Sequence, residues 1–394
     1  MSMDAILDQA KKVRHELHRV PELCYEEFKT AEIIRAELER LKLDYVTGPE
    51  SAPTATIAVL GDETKPCVLL RADIDGLPIS EATGVSYAST HEGKMHACGH
   101  DGHAANLLAV AATLAEEAST LPVCVKLVWQ PAEEGGAGGR KLVDAGVCDE
   151  TGRFGPRVAA AFGLHGWPLL PLGMVSTKPG ALLAATDNFQ ATFRGTGGHA
   201  AMAHLTTDPL ACAINGASSL QQIAAREIDP TEPFVLSTTQ FNAGTTHNVV
   251  PDFATFGGTV RTVSAHVREF AEEAVRRRCE AAAAAGRCDL EFAWHRGYPA
   301  TVNDPRMTEY ATNIFKRVLG PDRFMPTARA TMGGEDFAYF LEKVPGCFYL
   351  LGLLPAGKDV YPSLHTDRFD FTDEAFATGV ETMCALVHHF DLPD

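Results

Sequence analysis

No apolar stretch in this 394-residue chain reaches the ~18 residues that a membrane span requires. The opening MSMDAILDQAKKVRHELHR has no basic stretch followed by an apolar one, so no secretory leader is expected. Basic residues are scarce: 34 Lys and Arg stand against 51 Asp and Glu, a net charge of −17. A phosphate-backbone partner needs clustered Lys and Arg, so neither nucleic acid nor membrane is an expected partner. The 10 cysteines are scattered, and without a leader they are expected to be reduced thiols in the cytoplasm rather than a disulfide framework. No G-x-S-x-G occurs, which removes the nucleophile-elbow hydrolases. Gly135–Gly139 lacks the G-K-[ST] ending of a phosphate loop.

What is present is 45% apolar residues in a chain long enough for two or three domains. Helical spacing runs through residues 4–43, broken at Val20-Pro21-Glu22. Apolar strands are predicted at Thr54–Leu60, Cys67–Ala72, Val123–Trp129 and Val158–Leu164, with a helix over about Ala104–Glu117. Strands alternating with helices imply an α/β sheet covered on its faces. From about Asp187 the pattern changes. Strands at Asn188–Arg194, Phe234–Phe241, Phe253–Arg261 and Asp289–Trp294 flank helices at Asp208–Arg226 and Ala265–Ala285. That β-α-β-β-α-β order is the split βαβ of a ferredoxin-like α+β domain. After Tyr298 the α/β rhythm returns, with a helix from Asp304-Pro305 to Gly320, a strand at Cys347–Leu351 and a closing helix at Asp373–Phe390. The expected domains are residues 1–185, an insert at 186–297, and 298–394.

The densest polar cluster is MHACGHDGH at 95–103, with three His, a Cys and an Asp in one turn. Imidazole and thiolate are the usual ligands of zinc-like ions, and carboxylate adds hard oxygen. Asp73 and Asp75 follow a strand and alternate onto one side, suited to orienting a ligand histidine. Glu133 and Glu134 sit at another strand end, where one Glu can ligate metal and its neighbour act as general base. His165 follows a third strand, and His365 lies in a polar loop. Taken singly, these read as strand-end turns, a core histidine and a surface loop. Together, Cys98, His100, Glu134, His165 and His365 make five ligands, too many for one tetrahedral catalytic ion and suited to two divalent ions about 3.5–4 Å apart. Gly195–Ala200 fits G-x-G-x-x-A, so a nicotinamide dehydrogenase is the competing enzyme class. The strand before it alternates with polar residues, and no acidic residue follows about 20 positions on. A non-catalytic metal-binding protein would leave Glu133 beside a ligand unexplained.

At this point the chain resembles the M20 metallopeptidase-family amidohydrolases, in the branch of hippurate hydrolases, N-acyl-amino-acid aminoacylases and auxin-conjugate hydrolases. The motifs run in order: ADIDGLPI (72–79), MHACGHDGH (95–103), QPAEEGG (130–136), GLHGWP (163–168), GTGGHAA (195–201), HNVVPD (247–252), GTVR (258–261), GGEDFAYF (333–340) and LHTDRFDF (364–371). The resemblance implies a di-metal α/β catalytic domain with an inserted ferredoxin-like lid that also dimerises. It implies that Cys98, His100, Glu134, His165 and His365 ligate two divalent metals, Zn or Mn with Co and Ni also compatible. Glu133 is then the general acid/base, His199 stabilises the oxyanion, and Asn248 and Arg261 hold the substrate carboxylate, with Asp73 and Asp75 behind the ligands. The implied reaction is hydrolysis of an N-acyl amino acid to a carboxylic acid and a free amino acid; a metallo-carboxypeptidase or dipeptidase is the alternative. A homodimer through the lid, or a tetramer, is implied. Glu335 and Asp336 fall in a motif without a derivable role, and Ala203 stands where this branch usually has Pro.

Overall fold

A computed structural model describes residues 1–150 and 152–391; residue 151 of the first expected domain and residues 392–394 of the last lie outside the described residues. Along the chain run α1 (Met3–Arg19), α2 (Phe28–Arg40), β1 (Tyr45–Thr47), β2 (Thr56–Leu60), β3 (Cys67–Asp73), α3 (His100–Ala115), β4 (Cys124–Gln130), α4 (Gly138–Asp144), β5 (Val158–Pro171), β6 (Val175–Thr177) and β7 (Gly180–Leu183). There follow β8 (Ala185–Arg194), β9 (Gly198–His199), α5 (Pro209–Arg226), β10 (Phe234–Ala243), β11 (Val249–Val250), β12 (Phe253–Thr262), α6 (Ala265–Gly286) and β13 (Asp289–Arg296). The chain closes with β14 (Thr301–Asn303), α7 (Pro305–Leu319), β15 (Phe324–Pro326), α8 (Ala338–Lys343), β16 (Gly346–Leu354) and α9 (Ala375–His388). These elements form two compact units, one of Met1–Leu182, Thr301–Ala328 and Asp336–Asp394, the other of Leu183–Ala300 and Arg329–Glu335.

The first unit is built on an eight-stranded mixed sheet in the order β1-β2-β4-β3-β5-β16-β6-β15. Its central strands β4, β3, β5 and β16 are parallel. All seven residues of β3 and of β4 are buried, as expected of strands covered on both faces. Helices α1, α3, α7 and α9 pack among themselves, and Leu17, Leu107, Phe315 and Leu386 join the core they share with the sheet.

Two expectations need correction. The helix predicted from Ala104 starts at His100, because Gly99 at φ +87° turns the chain directly into it. His100, Asp101 and His103 therefore lie in its first turn. Their polar side chains hid that turn from any apolar period. The strand predicted to end at Leu164 continues to Pro171, paired with β16, so His165 sits inside a strand rather than after one. Packing from the neighbouring element, not local apolarity, carries it on.

The second unit has an antiparallel sheet in the order β10-β12-β8-β13 with α5 and α6 packed on it. With β8, β10, β12 and β13 taken as first to fourth, this is the ferredoxin-like arrangement. Burial alternates along β8, placing Phe189, Ala191 and Phe193 in a core with Phe256, Leu220, Ile223 and Val275. Asp208 and Ser264 cap α5 and α6, each side chain accepting from backbone N–H groups of the first turn. Gly195-Thr196-Gly197-Gly198 leads into the short strand β9 and a 3-10 turn, not into a phosphate-binding helix.

Candidate metal centre

Strand register assembles the site. Arg71 of β3 pairs with Gly163 of β5, so two residues on, Asp73 and His165 reach the same level at the sheet edge. Asp75 follows β3, and Glu133 and Glu134 follow β4. The first turn of α3 brings His100 and His103 against them. His103 donates from Nδ1 toward Asp73 Oδ1 at 2.6 Å, and its Nε2 accepts from the Gly166 N–H at 2.8 Å. With both nitrogens engaged, His103 is a spacer and not a ligand.

The other histidines differ. His100 Nδ1 lies 3.2 Å from Asp75 Oδ1, while its buried Nε2 has no hydrogen-bond partner. His165 Nδ1 is 2.8 Å from the Gly166 carbonyl, which fixes that nitrogen as the donor and leaves Nε2 facing Cys98 Sγ at 3.4 Å. His365, held at φ +61° with its N–H on the Ala97 carbonyl at 2.8 Å, brings Nε2 to 3.3 Å from Cys98 Sγ and 3.0 Å from Glu134 Oε1. The donor atoms of Cys98, His100 and His165 lie within 4.8 Å of one another, as do those of Cys98, Glu134 and His365, and those of His100, Glu133 and Glu134. All five sequence-predicted ligands and Glu133 thus meet in the first unit.

The chemistry of this set fits bound cations. Burial, then Glu134 and Glu133, push the Cys98 thiol well above its ordinary pKa, so an added positive charge is what would stabilise its thiolate. Burial, reinforced by His103, pushes the His165 pKa well down, keeping the imidazole neutral as a ligand must be. Four carboxylates (Asp73, Asp75, Glu133, Glu134) surround these groups. The Asp75 carboxylate ties three parts together: besides His100 it accepts from the Glu133 N–H at 3.0 Å and the Glu134 N–H at 2.8 Å.

Sequence reasoning left Arg71 and Asp336 without roles. Arg71 is fully buried and bonds Asp73 Oδ2 at 2.7 Å and Asp336 Oδ1 at 2.8 Å. Asp336 also accepts from Gln130 Nε2 and from the Gly139 N–H at 2.8 Å, and its own N–H reaches Glu133 Oε1 at 3.3 Å. Burial raises its pKa to about 6 against the opposing pull of Arg71. Its motif was visible in sequence; the partner Arg71, 265 positions away, was not.

A model of Peptidase family M20/M25/M40 matches residues 69–389. This chain belongs to that family. It is a hydrolase of amide bonds. The M20 hydrolase is 35% identical to IAA-amino acid hydrolase ILR1-like 4 of Arabidopsis thaliana, over 96% of this chain and 84% of that protein. It is 38% identical to N-acetylcysteine deacetylase of Bacillus subtilis, over 86% of this chain and 87% of the relative. Its fold matches the crystal structure of the Bacillus subtilis YXEP protein, described as a dinuclear metal binding peptidase from the M20 family. The TM-score is 0.81 at 33% identity, covering 98% of each chain.

The remaining predicted site residues of the M20 hydrolase lie in its second unit. His199 is exposed and pairs with Val249 across the β9–β11 ladder, beside Asn248, whose carbonyl accepts from the Ala200 N–H at 3.0 Å. Arg261 is half-buried on β12, opposite Thr186 of β8. The structure keeps His199 and Asn248 together but does not bring Arg261 to them. Phe253 and Arg194 pair at the β9 end of the sheet, whereas Arg261 is eight residues further along β12. At the rise of a strand that is about 27 Å.

Proposed function

We propose that this M20 hydrolase cleaves N-acyl amino acids to a carboxylic acid and a free amino acid. The observation that carries the reading is the convergence of Cys98, His100, Glu134, His165 and His365 around Glu133, with Asp75 bonded to both glutamate amides and to His100. Those five residues would hold two divalent ions, zinc or cobalt by the softness of Cys98, manganese by the oxygen ligand. When bound, the ions supply Lewis acidity toward the attacking water and the acyl carbonyl. Glu133 takes the proton of that water and delivers it to the departing amine. Arg261 holds the substrate carboxylate through its planar fork, aided by Asn248, and His199 donates to the developing oxyanion. The separation of His199 and Asn248 from Arg261 along β12 supports a shared site. In a two-fold dimer made through the second unit, His199 and Asn248 serve the partner's site.

The test is a pair of variants with metal analysis. Glu133→Gln should retain both metals and lose ~10²–10⁴-fold in turnover of N-acetyl amino acids. Glu134→Gln should lose metal. The reverse pattern would exchange the two roles, and two fully active variants would remove the reading.

A further inference from the structure

Three residues near the N-terminus reach the loop that carries Glu133 and Glu134, more than 100 positions away. The Cys24 thiol donates to the Glu134 carbonyl at 3.1 Å. The Tyr25 hydroxyl donates to the Gly136 carbonyl at 2.5 Å. Glu27 Oε1 accepts from the Ala132 N–H at 2.9 Å and from the Tyr25 N–H at 2.9 Å, while Oε2 accepts from the Thr54 hydroxyl at 2.8 Å. Glu27 is fully buried. It stands at the N-cap of α2, where a carboxylate would ordinarily bond that helix's own amides, yet it makes no capping bond. It faces the loop instead.

The loop needs holding. Ala132 sits at φ +57°, a left-handed conformation that an alanine adopts only when its surroundings enforce it. Tyr25 itself is at φ +64°. A side chain at position 136 would come within 2.6 Å of the Ala132 Cβ and 3.1 Å of the Tyr25 ring, so glycine there lets the tyrosine lie against the turn. Released from the Glu27 carboxylate, Ala132 loses the bond on its own N–H and keeps only the one from the Gly138 N–H to its carbonyl at 3.2 Å, so its positive φ is less well enforced, and relaxing it would swing the next residue, Glu133, against its hold on Asp75.

We infer that Tyr25 and Glu27 are positioning residues that clamp the Pro131–Gly136 turn, holding Ala132 in its left-handed conformation so that Glu133 and Glu134 point into the metal centre. This rests on the roles proposed above for Glu133 and Glu134. The clamp acts on backbone atoms, so it sets where the two glutamates stand and not which metal or substrate they meet.

The test uses the metal-loaded full-length enzyme. Glu27→Ala should lower kcat per bound metal by ~10–100-fold, the range for residues supporting metal ligands, with KM within twofold of wild type. It should shift the visible absorption of the Co²⁺-substituted enzyme, because Glu134 moves. It should also speed amide hydrogen exchange in the peptide covering 129–137 while the rest of the first unit keeps its protection. Glu27→Gln keeps a carbonyl oxygen for the two N–H groups and an amide for Thr54, and should restore kcat. Tyr25→Phe removes a single hydroxyl from a half-buried ring and tests the same clamp if Glu27→Ala does not fold; a several-fold loss of kcat with accelerated exchange at 129–137 is expected. The inference is overturned if the foldable variants keep kcat and the Co²⁺ spectrum of wild type, or if Glu27→Gln is as impaired as Glu27→Ala. Glu133→Gln, run alongside, separates the two levels. Full activity there removes the proposed role of Glu133, whereas an inactive Glu133→Gln beside an unimpaired Glu27→Ala removes only the clamp.

Discussion

Replacing Asp75 by Asn should weaken metal binding about 30-fold while leaving the fold intact. The Asp75 carboxylate meets three donors: Oδ1 faces His100 Nδ1 at 3.2 Å and the Glu133 N–H at 3.0 Å, and Oδ2 faces the Glu134 N–H at 2.8 Å. Asparagine has one oxygen. Its better orientation places that oxygen at the Oδ1 position, serving two donors, and turns its NH₂ toward the Glu134 amide. Two donors then oppose each other, and a hindered N–H left without an acceptor costs roughly 1–3 kcal/mol. Asp75's share, after that of Asp73, of the negative charge that keeps His100 basic is lost as well, and changes behind a metal ligand typically cost 10–100-fold. Both routes meet at about 2 kcal/mol, which is about 30-fold in affinity. The assay is competition of apoprotein with a chromophoric chelator for Zn²⁺, with kcat/KM measured at saturating metal. Metal affinity and kcat/KM both within threefold of wild type would refute the placement of Asp75 as the group that aligns His100 with the Glu133–Glu134 loop.

Other outcomes are expected. His18 is buried between Asp101 at 2.8 Å and Glu81 at 3.2 Å; burial lowers its pKa, but the two carboxylates outweigh it and raise the value to about 9. A raised histidine stabilises the fold fully below its ordinary 6.5 and loses that contribution as pH rises through 9. Urea unfolding should therefore show a loss of order 3 kcal/mol between pH 6 and 10, and His18→Gln should flatten the slope; equal slopes would show the ion pair to be immaterial. Cys98 should resist iodoacetamide with metal bound and react after chelation, and identical labelling in both states would remove it from the ligand set. Inactive His199→Ala and Glu133→Gln subunits, mixed and exchanged, should recover roughly a quarter of wild-type activity. Half of the random dimers are mixed, and each has one intact site if His199 acts across the dimer. No recovery, with exchange confirmed by native mass spectrometry, would confine His199 to its own chain.

Much of the molecule was legible in the order of its residues. Largely apolar runs marked the buried parallel strands, and strict alternation from Asn188 to Arg194 marked the half-exposed β8. Asp208-Pro209, Ser264 and Asp304-Pro305 announced helix starts, because capping chemistry is local. The five candidate ligands could be named for the same reason: Cys, His and Glu side chains carry their donor chemistry wherever they stand. Only the tertiary structure decided which histidine is free to ligate. His103 and His100 are three residues apart in one helix, yet Asp73 and the Gly166 amide occupy both nitrogens of the first, while Asp75 engages one nitrogen of the second and leaves the other open. Nothing local revealed that His165 lies inside a strand, since its partner across the β16 ladder, Leu350, stands 185 positions on, and the strand's extent is set by pairing rather than by composition. Arg71 met Asp336, and Glu27 met Ala132, only through the fold. A buried carboxylate and its distant partner leave no periodic trace in sequence, because hydrogen bonds are satisfied by proximity in space and not by spacing along the chain.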